Sequence, residues 1–270
     1  MYKLLLVTDA TDVQNAFEKI QDWSMLGYRA PRVANGAKAA LESLSRHHAD
    51  GLALGLQNRE EEQFLLSCLM QQYPQLPIID APADEDLIRR NIGELSTVIT
   101  FIRSDNCDGR YDEADAMAQL RHDFFRALMR GDITDSAVVR RKLRLLRSRM
   151  DPDSSCVVVR FSLPADDGYL AGRWHYGSER LEVAMRNLFG RDLEGMRLLI
   201  SVPRDEEIDL LACPMLGETM RPEDSQTSLV TAHVSQAVEH VHEYLGIDMR
   251  VRSVEVLTGV EALASKNTHQ

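Results

Sequence analysis

Along the first hundred positions, short apolar runs alternate with stretches in which apolar residues return every three or four positions. The runs Leu4–Val7, Ala30–Val33, Leu52–Leu56, Pro77–Ile79 and Thr97–Ile102 predict five strands. Between them, Thr11–Asp22, Ala37–His47, Glu60–Gln72 and Asp84–Ile92 predict helices. Thr11 or Asp12 is the expected N-cap of the first, and Asn35-Gly36 opens the second. Ala40, Leu41 and Leu44 share one face of the second helix, as do Phe64, Leu65, Cys68 and Leu69 in the third. Strand and helix alternating at this spacing predict βαβ units and a parallel sheet. Ligand chemistry in such a sheet gathers at the carboxyl ends of the strands. Here those positions are Thr8, Asp9, Gly55, Asp80 and Ala81.

The rhythm then changes. Residues 104–110 form a polar break and read as a linker. Two helices are expected after it, Ala114–Arg130 and Ser136–Met150, with Thr134 or Asp135 capping the second. From residue 155 the pattern predicts a strand at Cys156–Phe161, a helix at Glu179–Phe189, a hairpin of Met196–Val202 with Ile208–Cys213, a helix at Leu229–Leu245 and a strand at Met249–Val256. The order β-α-β-β-α-β is a ferredoxin-like arrangement. The expected division is a parallel-sheet α/β domain over 1–104, a helical connector over 105–150 and an α+β domain over 151–270.

Composition narrows this picture. The chain has 270 residues, with 42 acidic against 31 basic and a net charge of −11. Phosphate backbones repel such a chain unless a local basic patch intervenes, so direct DNA binding is not expected. No apolar run approaches the ~20 residues that span a bilayer. The apolar start Met1–Val7 is too short for a signal-peptide core. The four cysteines, Cys68, Cys107, Cys156 and Cys213, form no CxxC pair and offer neither a disulfide framework nor a zinc site. A cytoplasmic protein without a membrane partner is expected.

Four segments carry a family resemblance: Met1–Val7, Asp22-Trp23-Ser24-Met25-Leu26-Gly27-Tyr28, Ala34-Asn35-Gly36-Ala37-Lys38-Ala39-Ala40 and His48-Ala49-Asp50. Together they resemble the receiver domain of two-component response regulators, most closely the AraC-type regulators. The resemblance implies a flavodoxin-like fold and phosphoryl transfer onto an aspartate. That chemistry requires an acidic pair for Mg²⁺ after the first strand, an acceptor Asp after the third, a hydroxyl after the fourth and a Lys after the fifth. The physical reason is charge, because an anionic nucleophile and three anionic oxygens need cations beside them. At the matching positions this chain has Thr8-Asp9, Gly55, Ala81 and Phe101-Ile102-Arg103. A glycine cannot be phosphorylated, and one carboxylate holds Mg²⁺ poorly in a wet cleft. The expectation is a pseudo-receiver that works without phosphate.

Residues 155–256 resemble a degenerate GGDEF-type domain, through Tyr176–Leu181 at a helix start and Pro203-Arg204-Asp205-Glu206-Glu207 on the hairpin. Pro203 and Arg204 stand where glycines would admit a guanine nucleotide, and Arg160-Phe161-Ser162 replaces the metal-binding acids. The resemblance also implies a tail with two helix-turn-helix motifs, which the sequence, ending at Gln270, does not hold.

Several residues carry two readings. Asp9 is a leftover metal ligand or a helix cap. His47-His48 is a relay or an exposed helix end. His233 and His240 share a helix face but need a third ligand to hold a metal. Arg173-Trp174-His175 is a small anion site or a solvated loop. The helix holding Arg140, Arg141, Lys142, Arg144, Arg147 and Arg149 contacts nucleic acid or is an amphipathic linker with a charged outer face. Leu120, Phe124 and Leu128 form the expected dimer or docking face.

The leading expectation is a non-enzymatic regulatory scaffold, acting through a protein partner or as a homodimer, with no cofactor and no metal. The rivals are a small-ligand sensor using the vestigial receiver pocket of Thr8, Asp9, Gly55 and Ala81, with Gly55 leaving room, and an enzyme using Asp205 and Glu206.

Overall fold

The structure is a computed structural model that describes residues 1–105, 112–163, 174, 176–204, 207–218 and 222–266. The chain divides into two compact units, Met1–Arg121 with Arg141–Ser148, and His122–Arg140 with Arg149–Gln270. The boundary falls inside each of the two helices of the expected connector.

The first unit holds β1 (Leu4–Thr8), α1 (Thr11–Lys19), β2 (Arg32–Ala34), α2 (Ala37–Arg46), β3 (Gly51–Gly55), α3 (Arg59–Gln72), β4 (Ile78–Asp80) and α4 (Glu85–Asp105). Its sheet is parallel, in the order β2-β1-β3-β4. Side chains alternate across it. Leu5, Val7, Leu52 and Leu54 face α2 and α3, packing with Ala40, Leu44, Leu65 and Leu69. Leu4, Leu6 and Ala53 point to the opposite face and are equally buried. Asn58 caps α3 by accepting from the amides of Glu60 and Glu61. Gly36 precedes α2 with φ +87° and leaves space for Glu61, whose Oε1 accepts from Ala37 N at 2.7 Å. The first helix begins at Thr11, with Ala10 as its N-cap, so neither Thr11 nor Asp12 holds the capping position.

The segment Asp22–Tyr28 ties α4 to the domain. Arg89 grips both oxygens of Asp22, at 2.9 and 2.7 Å, and this bond holds the Asp22 carboxyl below its ordinary range. Trp23 stacks on Phe17. Tyr28 is fully buried, its phenol pushed up to about 12 by desolvation, and its oxygen lies 3.2 Å from Ser96 Oγ.

The expected fifth strand, Thr97–Ile102, does not form. The single 21-residue helix α4 absorbs it. Ile88, Ile92, Leu95, Ile99 and Ile102, spaced by four, three, four and three, are all buried, which is the helical period. Ser96 Oγ and Thr97 Oγ1 donate to the carbonyls of Ile92 and Gly93, four residues back. The β-branched run Thr97–Thr100 favours a strand by less than ~1 kcal/mol per residue, and burial of one continuous face outweighs that preference.

Two further helices follow, α5 (Glu113–Arg130) and α6 (Ser136–Leu145). The latter stops five residues before the expected Met150, and Arg147 and Arg149 take positive φ. Asp135 Oδ1 caps it by accepting from Ala137 N at 2.9 Å.

The second unit's sheet comprises β5 (Cys156–Ser162), β6 (Asp192–Leu193), β7 (Met196–Arg204), β8 (Glu207–Pro214) and β9 (Arg250–Leu257), with helices α7 (Gly177–Phe189), α8 (Glu223–Leu245) and α9 (Ala262–Lys266). The strands run antiparallel in the order β6-β7-β8-β5-β9. The helix α7 therefore connects two strands that have β8 between them. Val157, Val159, Phe161, Leu198, Ile200 and Leu210 line one face and pack against Leu181 and Met185 of α7 and Val230 and Val234 of α8. The two-residue strand β6 and the helix α9 had no counterpart in the sequence pattern.

Gly93 lies exposed inside α4, and a Cβ there meets nothing within 4 Å. Gly93→Ala is therefore expected to raise stability by about 0.5–1 kcal/mol in urea unfolding, because alanine removes backbone entropy from the unfolded chain. A loss of stability contradicts a continuous α4.

Candidate functional site

The carboxyl end of the parallel sheet is built from β1, β3 and β4. Thr8 is buried. Its Oγ1 donates to Gly55 O at 2.9 Å and accepts from Ala10 N at 3.1 Å. Asp9 Oδ1 accepts from Gln57 N at 2.9 Å, so this carboxylate ties the end of β1 to the end of β3 rather than capping α1. Gly55 leaves no room for a ligand. A Cβ built there lies 2.7 Å from Ala81 O and 3.2 Å from Ala81 Cβ. Ala81 is held in that place by its own amide, which donates to Leu54 O at 2.9 Å. The structure thus brings Thr8, Asp9, Gly55 and Ala81 together, but as a closed backbone junction. The expected vacancy at Gly55 is filled by the Ala81 carbonyl.

The remaining carboxylates of this end are engaged by α6. Arg144 donates through Nη1 to Asp80 Oδ1 at 2.5 Å and through Nη2 to Glu62 Oε1 at 2.7 Å. One helical turn away, Arg141 lies 3.5 Å from Glu94. In the other unit, Arg140 bonds Asp153 at 2.8 Å and Glu261 at 3.2 Å. Burial pushes the Arg147 guanidinium down to about 10. Three of the six basic residues, Arg140, Arg141 and Arg144, therefore meet carboxylates of their own chain, which favours the amphipathic-linker reading.

The second unit contains a buried ionic cluster that the sequence pattern did not flag. Glu182 of α7 is 1% exposed, and its Oε2 accepts from Val202 N at 3.0 Å. Its Oε1 meets His122 Nε2, and Arg126 Nη2 lies 3.3 Å from the same oxygen. Burial pulls His122 below the ordinary imidazole range, against the opposing pull of Glu182. A neutral imidazole with its proton on Nε2 would donate to the Glu182 carboxylate, and the same nitrogen lies 3.0 Å from Arg126 Nη2. Burial likewise lowers Arg186, one turn from Glu182. The signal for this cluster was faint. Glu182 sits beside Leu181 on the edge of the apolar stripe, and its two partners are more than fifty residues away.

Other candidates separate. His233 Nε2 meets Phe189 O at 2.7 Å, His242 pairs with Asp248 at 2.8 Å, and His240 stacks near Tyr244, so the three share no centre. Among the described residues, no group of three or more His, Cys, Asp or Glu is placed to hold a metal ion. Phe124 and Leu128 are buried within the chain and Leu120 is half buried. Exposed large apolar side chains occur instead on β9, at Val251, Val254 and Val256. Trp174 Nε1 donates to Gly177 O at 2.8 Å. Arg173, His175, Asp205 and Glu206 lie outside the described residues.

Fold and site define a two-unit mixed α/β protein, with a four-stranded parallel sheet in one unit and a five-stranded antiparallel sheet in the other. No known protein family matches the sequence, and no curated protein matches it as a relative. Among the described residues, no helix is long and apolar enough to cross a membrane.

Two outcomes follow from the geometry. Gly55→Asp, which would restore an acceptor carboxylate, is expected to destabilise the fold by about 1–3 kcal/mol through the clash with Ala81; urea unfolding at unchanged stability would refute the closed junction. For His122, the unfolded imidazole protonates at its ordinary value and the folded one only at lower pH. Between the two values the unfolded chain binds more protons, so stability falls as pH drops. Melting temperature is expected to decrease from about pH 7.5 to about pH 5.5, and to decrease less in His122→Gln. An equal decrease in both proteins rules out this imidazole as a contributor.

Proposed function

We propose that the chain is a non-enzymatic signalling or transcription-regulatory protein that resembles an AraC-type response regulator. It works without phosphorylation, through protein–protein interaction or dimerisation. The observation that carries this reading is the sealed carboxyl end of the parallel sheet. Gly55 is closed by the Ala81 carbonyl, Asp9 is bound to Gln57 N, and Asp80 and Glu62 are bound to Arg144. Gly55 offers no nucleophile, the Ala81 carbonyl takes the space over it, and the nearby carboxylates already have partners where receiver chemistry needs free groups.

The architecture supports the reading in part. The order β2-β1-β3-β4 is that of a flavodoxin-like doubly wound sheet up to its fourth strand. The place of the fifth strand, with its lysine, is taken by α4. In the second unit, β5-α7-β7-β8-α8-β9 in the spatial order β7-β8-β5-β9 supports a ferredoxin-like, GGDEF-like domain. On β5, Arg160 pairs across the sheet with Asp209 in register and lies 3.8 Å from Glu255, a strand-to-strand role in place of metal binding. For a small-ligand sensor in the receiver-like cleft, the room expected over Gly55 is taken by the Ala81 carbonyl.

Incubation with acetyl phosphate and Mg²⁺ is expected to leave the intact mass unchanged and the light-scattering mass the same before and after. A stable gain of one phosphoryl group overturns the proposal.

A further inference from the structure

At the opposite, amino end of the parallel sheet lies a groove of about 530 Å³. The start of β1 contributes Lys3, the approach to β2 contributes Arg29 and Arg32, and the end of α2 contributes Arg46, His47 and His48. In a parallel sheet all strand starts lie on one side, so residues distant in sequence converge there. The only apolar lining comes from Leu4 and Ala30.

These cations are not neutralised by their own protein. The chain carries 42 carboxylates, yet the side chains of Lys3, Arg29 and Arg46 have no acidic partner among the described residues. Arg32 donates to the carbonyls of His47 and His48, at 3.5 and 3.1 Å, which fixes its guanidinium at the C-terminus of α2 without cancelling its charge. Of the carboxylates nearby, Glu42 stands one helical turn before Arg46 on α2, and Asp50 has a 5% exposed side chain. Asp50 accepts from Lys3 N at 2.6 Å, meets His48 Nε2 at 2.8 Å and is bonded by Arg103. Four formal positive charges thus border one concavity with Asp50 already engaged. Like charges held this close repel, and a multivalent anion relieves that repulsion.

We propose that this groove binds a small polyphosphate group, either as a free inorganic chain or as the phosphate arm of a nucleotide. The volume falls in the range of small-molecule sites, about 300–1,000 Å³. Three exposed cationic heads and one fixed guanidinium suit several phosphoryl oxygens, because guanidinium bonds them in pairs and ammonium as a point charge. With no Phe, Tyr or Trp in the lining, recognition is of phosphate and not of a base. The site is at the other end of the sheet from the sealed junction, so it stands or falls independently of the regulatory reading.

The test is calorimetric titration of the full chain with pyrophosphate, tripolyphosphate, ATP and a duplex oligonucleotide at low salt. Tripolyphosphate is expected to bind, and more weakly once about 0.15 M salt shortens the screening length to about 8 Å. Arg29→Gln and Arg46→Gln, both exposed, are each expected to weaken binding roughly tenfold, with melting temperatures near that of the parent. Arg90→Gln, elsewhere on the same unit, leaves binding unchanged. ATP bound as tightly as tripolyphosphate supports recognition of a phosphate chain, free or on a nucleotide; ATP bound much more tightly shows that the nucleoside contributes and overturns it. No binding at millimolar ligand overturns it, as does binding that survives both groove substitutions. Duplex tighter than tripolyphosphate through the same two arginines replaces it with a nucleic-acid surface.

Discussion

A backbone carbonyl placed where a side chain would otherwise begin governs the character of the first unit. The parallel register sets Leu54 opposite Asp80, so the next residues, Gly55 and Ala81, meet as both strands leave the sheet. The Ala81 amide bonds Leu54 O, and its carbonyl covers Gly55. Only a residue without Cβ permits that approach. Once it is made, the Ala81 carbonyl occupies the space over Gly55. The surrounding acids become structural groups, turned toward an amide at Gln57 and an arginine at Arg144.

The two ends of this sheet consequently differ in electrostatics. At the carboxyl end, Glu62 and Asp80 share one guanidinium. Exposed pairs of this kind contribute ~0–1 kcal/mol each, so their value lies in orientation more than stability. At the amino end the ratio reverses, with four cations about a groove where Asp50 is engaged. A net charge of −11 therefore conceals a local positive field. Average composition argued against anionic partners, whereas the arrangement of strand starts creates a place for one.

Much of the fold was legible because its elements are locally periodic. The strands at Leu4, Leu52 and Ile78 are short apolar runs, and the stripes of α2, α7 and α8 repeat every three to four residues. Thr97–Ile102 misled because β-branched residues crowd together there. The same residues extend the Ile88-Ile92-Leu95 stripe without a break, and that longer pattern is the one the core reads. The closed junction was half legible: Gly55 announced a missing nucleophile, but a glycine reads equally as a vacancy or as a close approach, and only the path of Ala81 decides. The Glu182 cluster and the basic groove were not legible. Their members lie at 122, 126 and 182, and at 3, 29, 32 and 46, and tertiary folding alone makes them neighbours.

The same geometry limits how the first unit can make contacts. Its edge strands, β2 and β4, are three residues each, too short to template pairing with another chain. Contacts of that unit must then run through side chains on helices and loops. The second unit differs, since β9 is an eight-residue edge on which Val251, Val254 and Val256 remain exposed between Arg250, Arg252 and Glu255. Interspersed charges of both signs on an edge discourage indiscriminate strand addition while leaving its backbone groups accessible. Under the proposed regulatory function, surfaces charged in separate patches would discriminate partners by electrostatic complementarity, which sets specificity and encounter rate more than raw affinity.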